Sequence, residues 1–180
     1  RQPEYARNYG ILAEGTVLKG KGRIYYYHVN ETGKPARLAV YGVSDKGEEI
    51  KSSVRSGGTE PQLRATGKTL SFREVTAKQQ PPRNVMLEKG KRTILFEDNA
   101  KGIRQDDLVS GIVEVETSSP VRFGAAILPY EAVWKSIWKR QGTFLRTPMK
   151  CGEHFPCTFI LKAACGTRKK TQEKLNWDSA

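Results

Sequence analysis

The stretch RIYYYHVN, residues 23–30, is the part of the sequence that decides the fold class. Its β-branched and aromatic residues favour a pleated, half-buried strand. Side chains alternate between the two faces of a strand, so every second residue of this stretch shares a face. The predicted faces are Ile24, Tyr26 and His28 on one side and Tyr25, Tyr27 and Val29 on the other.

The neighbouring residues extend this strand into a predicted hairpin. Turn-forming residues occupy positions 31–35, and a second strand pattern follows at 36–43, so we expect a hairpin over residues 23–43. Residues 108–117 and 121–128 alternate in the same way around Ser118-Ser119-Pro120, which predicts a second hairpin. Further strands are expected at 11–18, 49–54 and 68–76, with a loop at 56–61 and a short strand pair formed by 84–87 and 91–96.

This spacing of strands and turns predicts a mainly β protein, an antiparallel β-sandwich that is either jelly-roll-like or immunoglobulin-like. The pattern changes after Pro129, where residues 130–139 have the spacing of one short helix. We therefore expect a sandwich domain over residues 9–130. Residues 131–180 are expected to hold the short helix and an irregular, cysteine-containing basic tail that is in part disordered.

The chain is strongly basic and the excess charge is concentrated near its end. It carries 31 basic and 19 acidic residues, a formal net charge of +12. Residues 135–180 contain ten basic and three acidic residues and so hold +7 of that charge. A basic surface can bind nucleic acid or another polyanion such as an anionic cell-wall polymer, but a solvated basic face is the interpretation we favour. No segment is apolar over the roughly 18 residues of a membrane span.

Four aromatic residues are candidate ligand-binding residues. Tyr25 and Tyr27 share a strand face and could stack against sugar rings if that face is exposed, but ordinary exposed tyrosines are the interpretation we favour. Trp134 and Trp138 are four residues apart on the predicted helix. Such a pair could bind a ligand, but it more often anchors a helix to a sheet.

All three cysteines lie in one short segment of the tail. Cys151, His154, Cys157 and Cys165 could hold zinc, because thiolates and an imidazole this close in sequence can converge on one ion. Their spacing matches no familiar zinc module, so we favour a disulfide or free thiols.

Calcium is a second, less favoured metal. Asp98, followed by Asp106 and Asp107, supplies oxygen ligands in a predicted loop, but Lys101 and Arg104 disfavour a cation there. We expect the protein to need no cofactor.

Catalysis has little support in the sequence. The two histidines, His28 and His154, lie in different segments, and no nucleophile elbow, phosphate-binding loop or dinucleotide fingerprint is present. We therefore expect a protein that is not an enzyme, with a hydrolase as the weakest alternative.

Several segments resemble one protein family. The run GRIYYYHVN at 22–30, VMLEKG at 85–90, residues 108–115 leading to 120–122, and RQGTF at 140–144 are similar to a β-sandwich module. This module occurs in secreted and surface proteins of Gram-positive bacteria, which often also carry stalk repeats similar to the N-terminal domain of copper amine oxidase. The resemblance covers about residues 9–145. It implies an exported, non-enzymatic envelope module without a copper centre, whereas the tail from Thr147 departs from the pattern.

These observations together favour a non-catalytic extracellular binding or structural module of a bacterial surface or secreted protein. Its expected partner is carbohydrate, cell-wall polymer or another surface protein. The alternative is a basic nucleic-acid-binding protein, whose affinity would fall steeply with salt, whereas sugar binding through aromatic stacking would respond little.

Overall fold

The computed structural model describes residues 3–61, 66–76 and 80–131, and it confirms the mainly β, sandwich-like class. Nine strands form a five-stranded and a four-stranded sheet, and one helix is present in this part of the chain. The elements are β1 (Glu4–Ala6), β2 (Gly10–Val17), β3 (Gly20–Asn30), β4 (Ala36–Ser44), β5 (Glu48–Pro61), α1 (Thr66–Thr76), β6 (Arg83–Leu87), β7 (Thr93–Ile103), β8 (Asp107–Thr117) and β9 (Val121–Pro129).

The strand order is that of a jelly roll. The five-stranded sheet has the order β1-β3-β8-β5-β6, and the four-stranded sheet has the order β2-β9-β4-β7. Apart from the parallel pair β1 and β3, all pairs are antiparallel. From β2 to β9, every connection except β5 to β6 carries the chain from one sheet to the other. An immunoglobulin sandwich pairs several consecutive strands, so the topology selects the jelly roll of the two predicted alternatives.

Both predicted hairpins are wrong, although the strands themselves are present. Strand β3 pairs with β8 and β1, while β4 pairs with β7 and β9, so residues 23–43 span the two sheets. Strands β8 and β9 likewise lie in different sheets. Alternation identifies a strand and its buried face, but it carries no information about the strand's partner. The Asn30 side chain stabilises the connection from β3 to β4 by donating to the backbone oxygens of Lys34 and Ile103.

Two other predicted features differ from the structure. The expected pair of 84–87 with 91–96 does not form, because β6 pairs with β5 and β7 pairs with β4. The expected loop at 56–61 is the second half of β5, which continues through a register shift between Ser56 and Gly58. Gly58 has φ +83°, a left-handed conformation that glycine adopts without a steric penalty, so the strand bulges there instead of ending.

The predicted strand over 68–76 is wrong, because these residues form α1. The helix packs on β5 and β8, where Leu70 is fully buried against Val29 and Leu108. Phe72 remains 69% exposed, so the Leu70 and Phe72 alternation does not mark one buried face. Gly57 allows the close approach, since a Cβ there would lie 2.6 Å from the Leu70 carbonyl oxygen.

The core lies between the two sheets, as the alternation predicts. The inward residues of β3 and β8 include Ile24, Tyr26 and Val113, which are fully buried and meet Leu38 and Phe123 of the other sheet. The Tyr26 ring stacks on that of Phe96 on β7, with centroids 6.0 Å apart. This packing fixes which side chains of β3 face outward.

Candidate functional site

Tyr25 and Tyr27 lie on the outer face of the five-stranded sheet. Their neighbours Ile24, Tyr26 and His28 are buried in the interior, so the alternation turns both tyrosines outward, where each is half-buried. The two rings are side by side, with centroids 6.4 Å apart and planes inclined by 30°. The structure thus brings together the two tyrosines predicted from the sequence on a face that solvent reaches.

Charged side chains adjoin the tyrosines through the strand pairing. Tyr25 is opposite Ile112 on β8, and Ile112 is opposite Arg55 on β5, which forms one row across three strands. In the next row Arg23 is opposite Glu114. We use the name "tyrosine face" for the outward residues of these two rows together with Tyr27: Arg23, Tyr25, Tyr27, Arg55, Ile112 and Glu114.

One carboxylate organises the two arginines of the tyrosine face. Arg23 donates from Nε and Nη2 to Oε1 of Glu114, at 3.1 and 2.5 Å, and Arg55 Nη2 donates to the same oxygen at 3.2 Å. The side chains of Arg23, Arg55 and Glu114 are 54, 26 and 28% exposed. Two guanidinium groups therefore sit in fixed positions on the face, where each has more N–H groups than the bonds to Glu114 engage.

Helix α1 borders the tyrosine face at the Tyr27 end. Tyr27 packs against the cluster of Val29, Leu70 and Leu108 beneath the helix. This burial raises the pKa of Tyr27 above its ordinary value. The phenol is consequently neutral at physiological pH and its hydroxyl can donate a hydrogen bond.

His28 occupies a buried position beside β1. It is 3% exposed, and its Nδ1 lies 3.7 Å from Oε2 of Glu4. The alternation predicted that it shares the Tyr26 face, and this is confirmed.

The acidic residues considered for calcium are held by other partners. Asp98 lies within β7, not in a loop, and its carboxylate accepts from Ser56 Oγ at 3.1 Å and Thr59 Oγ1 at 3.4 Å. Asp107 Oδ2 accepts from the Arg104 amide at 2.9 Å in the turn between β7 and β8. Within the described ranges, no group of three or more histidine, cysteine, aspartate or glutamate side chains could hold a metal ion.

The remaining predicted site residues lie outside the described residues. These are Trp134, Trp138, Cys151, His154, Cys157 and Cys165. The predicted short helix and basic tail fall in the same part of the sequence.

The sequence did not identify Arg23, Arg55 or Glu114 as site residues. Their outward positions follow from the alternation of side chains along each strand. Their convergence depends on β8 lying between β3 and β5, a pairing that only the topology supplies.

No protein-family model, no curated protein and no solved structure matches the chain. In the part of the chain that the structure describes, no helix combines the length and the apolar character needed to cross a membrane.

Proposed function

We propose that this protein is a non-catalytic binding module of an exported bacterial protein, and that it binds carbohydrate through the tyrosine face. The observation that carries the proposal is the pair of tyrosine rings, 6.4 Å apart, beside the Arg23–Glu114–Arg55 network. An extracellular or cell-surface location is part of the proposal, and it rests on the resemblance of residues 9–145 to envelope modules.

The chemistry of the tyrosine face fits a sugar chain. The apolar C–H face of a pyranose ring packs on an aromatic ring, while its hydroxyl groups need hydrogen-bond donors and acceptors nearby. Tyr25 and Tyr27 supply two adjacent rings, so consecutive sugar units could each meet one. Arg23 and Arg55 supply donors on the same surface, and Glu114 supplies an acceptor.

Pre-organisation supports binding without large rearrangement. The tyrosines stand on a paired strand of a five-stranded sheet, and Glu114 already orders both arginine side chains. A ligand then needs to order fewer side chains, which lowers the entropic cost of association.

A glycan array that includes cell-wall polysaccharides tests the proposal, with Tyr25→Ala and Tyr27→Ala variants measured beside the unaltered chain. We expect each substitution to weaken binding by about tenfold or more, because truncating an aromatic anchor typically costs more than about 1 kcal/mol. Tyr130→Ala is the control, because Tyr130 is an exposed tyrosine outside the tyrosine face, with its ring against Gly102. A blank array, or equal losses in all three variants, would refute sugar binding at this face.

Nucleic acid is the second candidate, favoured by the net charge of +12. A DNA and RNA binding assay titrated with salt separates the two. Nucleic-acid binding should weaken steeply as salt rises and should tolerate Tyr25→Ala, whereas stacking on tyrosines should persist at high salt.

A further inference from the structure

The outward row beside the tyrosine face carries two lysines. Lys21 on β3 is opposite Glu116 on β8, and Glu116 is opposite Lys51 on β5. Lys21 is two residues from Arg23 on the same strand, so alternation turns this row to the same side of the sheet as the tyrosines. All three side chains are exposed. We use the name "lysine row" for Lys21, Glu116 and Lys51.

The lysine row continues the tyrosine face along the strands. Every second residue of β3 points to this side, in the order Tyr27, Tyr25, Arg23 and Lys21. Two residues of a strand span about 7 Å, so this series is about 20 Å long. Helix α1 borders it at the Tyr27 end, and the lysine row forms the other end. A ligand that starts on the two rings and follows the strands therefore passes over the arginines and then over the lysines.

The tyrosine face and the lysine row together carry more positive than negative charge. They hold four basic and two acidic side chains, which are Lys21, Arg23, Lys51, Arg55, Glu114 and Glu116. Both glutamates stand on β8, the middle strand, and the basic residues stand on β3 and β5 to either side. Neighbouring strands lie about 4.8 Å apart, so cations line both sides of a strip about 10 Å wide. This arrangement favours an anionic ligand that lies along the strip.

The ammonium groups of the lysine row are available to such a ligand. Among the described residues, neither Lys21 nor Lys51 forms an ion pair, although Glu116 is opposite both. Each ammonium stands on a flexible stem, so it can follow an anionic group as the ligand binds. The two arginines differ from the lysines, because Glu114 holds them in place and engages only part of their N–H groups.

The geometry around Glu114 indicates which anion suits the arginines. Oε1 of this carboxylate accepts from both guanidinium groups, so the chain itself pairs this surface with a carboxylate. The fork of N–H groups on a guanidinium matches the two oxygens of a carboxylate. Glu114 and Glu116 in the middle of the strip repel a polymer with dense negative charge. The surface therefore favours a polymer that carries carboxylates at intervals and keeps its other sugar rings neutral.

We propose that the ligand of the tyrosine face is an acidic polysaccharide. Its neutral rings stack on Tyr25 and Tyr27, and the carboxylates of its uronic acid units meet the arginines and the lysine row. This inference rests on the proposed function, since it names the class of sugar polymer that the tyrosine face binds. It also gives part of the basic charge of the chain a role in selecting that polymer.

Acidic polysaccharides and their carboxyl-reduced forms test the inference, because reduction removes the charge and keeps the sugar chain. Hyaluronan and gellan are the probes, since both intersperse acidic with neutral sugars, and the densely sulfated heparin is the comparison. We expect at least one probe to bind about tenfold more tightly than its reduced form at low salt, because each exposed ion pair contributes up to about fivefold. The preference should shrink as salt rises, whereas the part of the binding that depends on Tyr25 should remain.

Three results would overturn the inference. Equal affinity for the acidic and reduced forms would do so and would leave carbohydrate binding in place. Binding of neither form would also do so, and the glycan array then decides the proposed function separately. Heparin that binds more tightly than both probes, and equally well to the Tyr25→Ala variant, would identify a site for dense polyanions such as nucleic acid.

Variants that remove one charge locate the preference on the surface. Lys21→Gln and Lys51→Gln should each weaken binding of the acidic probe several-fold more than binding of its reduced form. Lys34→Gln is the matched control, because Lys34 is an exposed lysine in the turn after β3, at the opposite end of this strand. It should change neither affinity. A loss in Lys34→Gln as large as that in Lys21→Gln would mean that net charge sets the preference, and the inference would fail.

Discussion

Substituting Gly111 by alanine should destabilise the sandwich, because Tyr26 occupies the space that the new methyl group needs. Gly111 on β8 is opposite Tyr26 on β3. A Cβ built at Gly111 would lie 2.1 Å from the Tyr26 hydroxyl oxygen and 2.3 Å from Cζ. Real Cβ atoms do not approach so closely, so the ring or one of the two strands must move.

The size of the destabilisation depends on how firmly the Tyr26 ring is held. Tyr26 is fully buried and its ring stacks on Phe96, so it cannot withdraw into solvent. Overpacking a core costs about 1–3 kcal/mol and sometimes more. Replacing glycine by alanine also stabilises the fold by about 0.4–1 kcal/mol, because alanine reduces the conformational entropy of the unfolded chain. We expect a net loss of about 1–2 kcal/mol in the free energy of unfolding.

Urea unfolding followed by circular dichroism measures this loss, with Gly42→Ala as the control. A Cβ at Gly42 meets the Phe123 ring at 3.1 Å, a contact that a small shift relieves, so its effect should be well below that of Gly111→Ala. In a Tyr26→Leu background the cost of Gly111→Ala should fall, because the clashing ring is gone. A Gly111→Ala variant as stable as the unaltered chain, or an unchanged cost in that background, would refute the packing of β3 on β8.

Three further substitutions test the titration of two carboxyl groups and the attachment of α1. Burial raises the pKa of the Asp98 carboxyl above its ordinary value of 3.8, so the folded state binds the carboxyl proton more tightly than the unfolded state does. The free energy of unfolding should therefore fall as pH rises from about 4. Asp98→Asn should remove this pH dependence when unfolding is measured across pH. Desolvation alone would raise the pKa of Glu48, but four hydrogen bonds from Ser118 and Ser119 outweigh it and lower the pKa. Glu48→Gln should therefore lower the free energy of unfolding at neutral pH, and this loss should shrink as pH falls below 4.5. Leu70→Ala should cost about 2 kcal/mol or more and should speed hydrogen exchange in α1 while β3 stays protected, and uniform exchange would contradict this.

The sequence predicted most of the strands and the side chains that share a face, because both depend on local alternation. The predicted grouping of Ile24 with Tyr26 on one face of β3 is confirmed, and the structure shows that this face is the buried one. The same property placed Tyr25 and Tyr27 together on one face. These features need only the two-residue period of a strand and no knowledge of partners.

Strand partners could not be predicted, because they depend on contacts that are distant in sequence. A turn such as residues 31–35 reverses the chain whether it joins two paired strands or crosses between sheets that pack about 10 Å apart. The pairs β3 with β8 and β5 with β8 join residues far apart in the chain, and they create the arginine and glutamate network of the tyrosine face. Helix α1 was missed because, among its side chains whose burial the structure describes, only Leu70 is deeply buried, and one residue gives no helical period.

Backbone amide shifts in NMR spectra, recorded as the best-binding soluble oligosaccharide of the array is added, test the central claim most directly. The account predicts that the perturbed amides cluster at residues 23–27 of β3, 110–114 of β8 and 53–55 of β5, and that Tyr25→Ala suppresses the shifts. Perturbations confined to the turns at 44–47 and 118–120, or to the strands of the four-stranded sheet, would contradict binding at the tyrosine face.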